Sequence, residues 1–285
     1  MSLIQRQAQE LLSERLRQLL DPAIVDLFIG GTHTRRFADN LLPNLTQGQI
    51  ATLREQLAAG SGGELRPTKN GKRPAHAPYS SAALAVNAFG RWLGSEGALR
   101  ICDLGGFEHL EVEGKLQISH GGGTANLDVL LKGRDRVVGV ESKLTEYLAE
   151  HKPTEWRDPY FAPEMQKILS SPWQELFETS RAGEWAPGHL DVEQLIKHAL
   201  ALTCRFPDSE RHLIYCFWEP GNEVGVVEKH RSEVNKCRDL LAAADPIFHA
   251  VAYSELLDEW KELATPDWLP RHVALLESRY GGITL

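Results

Sequence analysis

The chain has 285 residues, 42% of them apolar, and a formal net charge of −8. That content supports one large core or two small ones, and no apolar run approaches the ~20 residues of a membrane helix. The acidic balance speaks against a protein that coats nucleic acid with a basic face, while leaving room for an enzyme with a local basic groove.

The N-terminus, MSLIQRQAQELLSERLRQLL, is charged throughout and reads as an amphipathic helix rather than a signal peptide. Leu3, Ile4, Leu11, Leu12, Leu19 and Leu20 fall near helical spacing, and Asp21-Pro22 ends the segment. A second helix is read in TQGQIATLREQLAAG, where Thr46 precedes Gln49 by a capping-box spacing and Gly60 supplies the stop. GSGGELRPTKNGKRPAHAPYSS must be a loop. Its basic run, Arg66, Lys69, Lys72 and Arg73, is either a solvated surface or a clamp on phosphates.

Ser80 or Ser81 caps the next helix, SSAALAVNAFGRWLG, with an apolar face of Ala83, Leu84, Val86, Phe89 and Leu93. The stretch 98–131 then breaks into short β-like runs between glycines, and KGRDR leads into the strand VVGVESK. Residues 149 to 190 hold Trp156, Tyr160, Phe161, Trp173 and Trp185 among prolines, with helical pieces APEMQKIL and PWQELFETS. They read as an aromatic-rich insertion whose rings belong to the core or stack on bases, the core reading being the ordinary one. LDVEQLIKHALALTCRF is a helix, and HLIYCFWEP is a strand apolar enough to be buried on both faces. HRSEVNKCRDLLAAAD, FHAVAYS and ELLDEWKELA read as helix, strand and helix. The order from residue 81 onward is that of an α/β core with a mixed sheet. Residues 1–75 form a helical extension with the basic loop, and 76–285 form the core.

Cys102, Cys204, Cys216 and Cys237 form no CxxC pair. Free thiols in a reducing, cytoplasmic compartment are therefore expected, rather than a disulfide framework or a structural zinc site. The eleven histidines contain no HExxH pairing, so zinc hydrolysis has no support. His120-Gly121-Gly122-Gly123 has neither the nucleophile elbow of an esterase nor the Gly-Lys-Ser/Thr of a phosphate loop behind it. A close approach of backbone there is the better reading.

The unusual stretch is ANLDVLLKGRDRVVGVESK. Asp128 and Glu141 interrupt apolar strands. A hairpin turn centred between Arg134 and Asp135 puts them opposite each other with Cβ atoms ~5 Å apart, and Lys143 one step along the same face. Like charges at that range destabilise a hairpin unless a cation lies between them or one is protonated. The ordinary alternative is an ion pair at a strand edge. Carboxylate oxygens with waters are what Mg²⁺ accepts.

Asp128 followed by Glu141-Ser142-Lys143 across a hairpin resembles the PD-(D/E)XK, restriction-endonuclease-like nuclease superfamily. SSAALAVNAF, NLDVLL and VESKLTEYL are similar to a bacterial group of restriction endonucleases. The resemblance spans about residues 75 to 260 and leaves the N-terminal helices unexplained. It implies that Asp128 and Glu141 hold a divalent ion, Mg²⁺ or Mn²⁺, and that Lys143 orients the attacking water.

Many relatives carry a further acid on the helix before the hairpin. This helix offers only Asn87 until Glu96, so Glu108 is the better candidate third ligand and Glu111 and Glu113, with the look of surface positions, are weaker ones; Glu146 either lines the site or, the favoured reading, is a surface carboxylate. Gln194, with Lys197 and His198 on the same helical face, resembles the glutamine motif of some branches, though a plain polar face would look the same. The implied activity is Mg²⁺-dependent hydrolysis of DNA phosphodiesters in restriction or defence, with a homodimer as the form suited to cutting both strands. The alternatives are a non-catalytic nucleic-acid-binding protein that keeps the nuclease fold, and a hydrolase of small substrates.

Overall fold

A computed structural model describes residues 1–20, 28–29, 32–60, 63–119, 121–151, 156, 158–161, 163–222 and 224–285. The Asp21-Pro22 stop and His120 lie outside the described residues. Helix α1 (Leu3–Leu19) starts at Ser2, whose hydroxyl accepts from Gln5 N. A two-residue ribbon, β1 (Phe28–Ile29) with β2 (His33–Thr34), precedes α2 (Gln47–Ala59). Thr46 and Gln49 close the expected capping box on α2, and Gly60 ends it. Helix α3 (Ser81–Phe89) is capped by Ser80 and is buried on every side from Ala82 to Phe89, not along one face as its pattern suggested. Asn87 is held there: Leu42 N donates to its Oδ1, and its Nδ2 donates to Asn40 O and Tyr280 Oη.

Five strands form the central sheet in chain order: β3 (Phe107–Ile118), β4 (Gly123–Gly133), β5 (Arg136–Lys143), β6 (Glu210–Phe217) and β7 (Ile247–Ala252). The first three are antiparallel neighbours, while β5, β6 and β7 run parallel. Parallel neighbours need long crossovers. The first contains α4 (Pro163–Gln166), α5 (Ser171–Arg181) and α6 (Val192–Arg205), and the second is α7 (Gly225–Leu240). Helices α8 (Tyr253–Lys261) and α9 (Leu269–Tyr280) complete the chain. Helix α9 is an addition to the elements read from the sequence, although Leu269, Val273, Leu276 and Tyr280 recur at helical spacing on its buried side.

The sheet separates two cores. Leu12, Leu53, Phe89, Trp260 and Leu276 lie in one, so the N-terminal and C-terminal helices share it with α3. Trp173, Leu195, Leu213 and Cys237 lie in the other. The insertion's Trp173 is fully buried, with Nε1 donating to Pro246 O. Trp156 and Trp185 pack at the margin of that core beneath the ammonium groups of Lys197 and Lys236, at 5.2 and 4.9 Å. All four cysteines are free, and no helix among the described residues is long and apolar enough to cross a membrane.

One irregularity of the β3–β4 ribbon positions everything that follows. Leu110 and Val112 of β3 point into the first core, but Leu116 and Ile118 point into the second. On β4, Val129 and Leu131 belong to the first and Ala125 and Leu127 to the second. Strand residues two apart should face the same way. The alternation therefore slips at Glu113 and Asp128, and Glu113 has the left-handed φ of 55° that such a slip requires.

Candidate active site

The pairs Val112–Val129 and Gly114–Leu127 fix one register, and Val129–Val140 fixes the next. Continued by one step, they align Glu113, Asp128 and Glu141 across three adjacent strands. The two-residue turn at Arg134-Asp135 sets the Asp128–Glu141 alignment that the sequence led us to expect. The backbone ladder between β4 and β5 stops at this row, and Asp128 replaces it: Ser142 N donates to Asp128 Oδ2 at 2.7 Å. The Ser142 hydroxyl is tied to Tyr253 Oη at 2.8 Å.

Lys143, at the end of β5, donates to Glu141 Oε1 at 2.5 Å and to Gln194 Oε1 at 2.8 Å. Gln194 is in the first turn of α6, where its own N–H donates to the Asp191 cap at 2.9 Å. One turn on, His198 Nδ1 stands 3.4 Å from Glu141 Oε2. These side chains, with Lys197, Glu64, Asn126 and Tyr160, line a cavity of about 350 Å³. A larger cavity, about 410 Å³, lies past the C-terminal ends of β6 and β7. Its Arg231 is already bound bidentately by Glu219, at 2.6 and 2.7 Å, so the concentration of unusual chemistry is at the carboxylate row.

Crowded carboxylates in a desolvated row resist ionisation. Burial, then Glu64 and Glu141, pushes Glu113 up to about 7. Burial and the neighbouring Glu141 hold Asp128 well above the usual carboxylate range, against the opposing pull of Lys143 and the Ser142 N–H. Glu64 is raised by burial and by Glu146. Burial would lower Lys143, but Glu141, Glu146 and Asp128 together raise it, so the ammonium stays charged. Burial lowers His198 despite the nearby Glu141 and keeps the imidazole neutral.

The structure brings Asp128, Glu141, Lys143, Gln194, Lys197 and His198 together. It does not bring Glu108, which is exposed beside a bulge between Phe107 and His109. Glu113, expected at the surface, is 7% exposed and stands in the row instead. The signal for it was present: the register logic applied to the Arg134-Asp135 turn, repeated on the glycine-rich turn before β4, pairs 113 with 128. Glu146 is exposed and accepts from Leu144 N and Thr145 N.

The four basic residues of the loop stand outside the cavity. Arg66 and Lys69 are exposed, Lys72 Nζ donates to Thr32 Oγ1 at 2.9 Å, and Arg73 Nε donates to Leu65 O at 3.0 Å. None of the four lines the cavity, and the loop sends in the acid Glu64. At the triglycine, Gly122 O accepts from Tyr160 Oη at 2.6 Å, which brings the insertion to the rim of the cavity.

The family model described as Restriction Endonuclease associating with ARP matches residues 8–281. The chain belongs to this family. The match takes in α1 and α2 as well as the sheet, beyond the segment whose motifs carry the resemblance in sequence. None of the curated proteins and none of the solved structures matches the chain. The mixed five-stranded sheet flanked by helices is the α/β architecture of a restriction-endonuclease-like core, and membership points to a nuclease.

The side chains present suit a hard divalent cation. Glu113, Asp128 and Glu141 offer oxygen donors, the preference of Mg²⁺ and Mn²⁺. Glu113 and Asp128 are raised first by burial and then by neighbouring carboxylates, and a bound cation would let both ionise.

Proposed function

We propose that this chain is a divalent-metal-dependent nuclease that hydrolyses DNA phosphodiester bonds in a restriction or defence role, of the PD-(D/E)XK type. The observation that carries the reading is the aligned row Glu113–Asp128–Glu141, with Lys143 held beside it by Gln194. Asp128, Glu141 and Glu113 would hold Mg²⁺ or Mn²⁺. The ion, when bound, supplies a bound water of lowered pKa and charge neutralisation at the scissile phosphate.

The chain's own residues then orient and hold. Lys143 has three donors; Glu141 and Gln194 take two and fix the ammonium, and the third orients the attacking water or a phosphoryl oxygen. The neutral His198 packs against the outer oxygen of Glu141 and limits its rotation. Lys197, on the cavity wall, meets the phosphate backbone. Tyr160 and Gly122 close the cavity on the insertion side. Cutting both strands of a duplex would use two copies of the chain related by a two-fold axis.

The test is incubation of plasmid and unmethylated phage DNA with Mg²⁺, with EDTA, and with Lys143→Ala. Cutting that needs the metal and disappears in the variant supports the enzyme. Intact DNA in every lane, together with retained DNA binding, would turn the reading to a binding protein that keeps the nuclease fold.

A further inference from the structure

The N-terminus of α6 carries a second set of ligating side chains that the nuclease reading does not use. His151, Asp191 and Glu193 bring one ligand atom each within 4.8 Å of the others. His151 Nε2 lies 3.6 Å from Asp191 Oδ1 and 3.4 Å from Glu193 Oε2. It is sealed from solvent and has no hydrogen-bond partner among the described residues. The Glu193 side chain is only 8% exposed.

A protonated histidine clamped between two carboxylates would be the simplest account of this cluster. It would show N–H···O bonds of ~2.7–2.9 Å, as charge-assisted pairs do, and neither contact is that short. The spacing suits an ion better. Three ligands at ~2.1 Å from a tetrahedral centre stand about 3.4 Å apart, close to both observed separations. Each ligand is also braced from outside. His151 N donates to Gly188 O at 2.5 Å, Asp191 Oδ1 accepts from Gln194 N at 2.9 Å, and Ser180 Oγ of α5 donates to Glu193 Oε1 at 3.3 Å. Such outer bonds are what orient metal ligands.

We infer that His151, Asp191 and Glu193 form a second metal site, for a borderline cation such as Zn²⁺, separate from the carboxylate row. One imidazole nitrogen with two carboxylates favours Zn²⁺ over Mg²⁺. No cysteine takes part, so a search for zinc by cysteine spacing passes over it. The site ties residue 151, just after the ESK strand, to the turn of α6 that presents Gln194 to Lys143. Its role is to fix that turn, and it stands on its own geometry whether or not the chain cuts DNA.

The test is calorimetric titration of Zn²⁺ into metal-stripped protein in excess Mg²⁺, with far-ultraviolet circular dichroism to verify folding. The wild type and the double variant Asp128→Asn, Glu141→Gln should each bind one equivalent. His151→Ala and the nearly isosteric Glu193→Gln should lose it, and Ser180→Ala should weaken it about tenfold or more. Wild type that takes no zinc would overturn the proposal, as would zinc retained by folded Glu193→Gln or lost in the double variant. DNA cleavage, measured separately, distinguishes this failure from that of the nuclease reading.

Discussion

Glu113 stands opposite Asp128 where the β3–β4 ribbon turns over, between the pairs Val112–Val129 and Gly114–Leu127. A non-glycine residue at a φ of 55° is held in a sparsely populated conformation, which costs on the order of 1–3 kcal/mol and persists only where the surroundings impose it. Gln56 of α2 imposes it in part, accepting from Val112 N at 3.1 Å. The result is a third carboxylate aimed along the same row as Asp128 and Glu141.

Glu113 should therefore matter where Glu108 does not. Glu113→Gln is expected to lower metal-dependent cleavage at least about 100-fold, beyond the range typical of residues one bond removed from a metal. Glu108→Gln should cut like the wild type, because its side chain is exposed outside the cavity. Comparable rates for the two variants in single-turnover assays would remove Glu113 from the site.

On the proposed reading Gln194 acts on Lys143 and not on the metal. Replacing it with alanine removes the bond that fixes the ammonium on the α6 side and should cost about 10–100-fold in rate, the scale of an orienting partner. The affinity for Mn²⁺ should change little. A variant that loses rate and metal binding in parallel would mean that Gln194 supports the ligands instead.

Glu113 makes its own contribution to the pH dependence of stability. Its native value, about 7, lies above the ordinary 4.5. The native protein then holds a proton that the unfolded chain has already released. Stability of the metal-free protein is thus full below pH ~4.5 as far as this group goes, and falls as pH rises through 7. The loss is up to about 3 kcal/mol. Urea unfolding of the wild type and of Glu113→Gln in EDTA, each at pH 5 and pH 8, isolates it as the difference between the two proteins. Glu113→Gln should remove that share of the difference and leave the share due to Asp128 and Glu64, and Mg²⁺ should restore stability to the wild type at pH 8.

Gly60 is fixed by Glu113 as well. A Cβ there would meet Glu113 Cβ and Oε2 at 2.9 Å. Gly60→Ala should therefore destabilise the fold by ~1–3 kcal/mol and reduce cleavage, since the carboxylate must move to relieve the clash. Unchanged thermal stability and unchanged cleavage would show that the approach of α2 is soft.

Most of the sheet was legible because it is written locally. The Arg134-Asp135 turn dictates register, and the apolar runs of β5 and β6 advertise burial. Asp128 stood out as a charge within the apolar run of β4, and Glu141 and Lys143 within that of β5. Glu113 did not, because EVEG looks like a surface strand with alternating acids. Its burial comes from α2 and from the slip in alternation, neither of which a period-2 pattern can display. The place of Arg66 to Arg73 was hidden for the opposite reason. A dense basic run says nothing about which way a loop's side chains point, and here the loop's inward residue is Glu64.

On the proposed reading the aligned carboxylates bind the catalytic ion. Anomalous scattering from crystals soaked in Mn²⁺ tests it most directly, because the metal's position is seen independently of activity. A peak is expected among Glu113, Asp128 and Glu141, and it should disappear in a folded Asp128→Asn, Glu141→Gln variant. A wild-type crystal with no density at the row, or with Mn²⁺ bound only elsewhere, would contradict it.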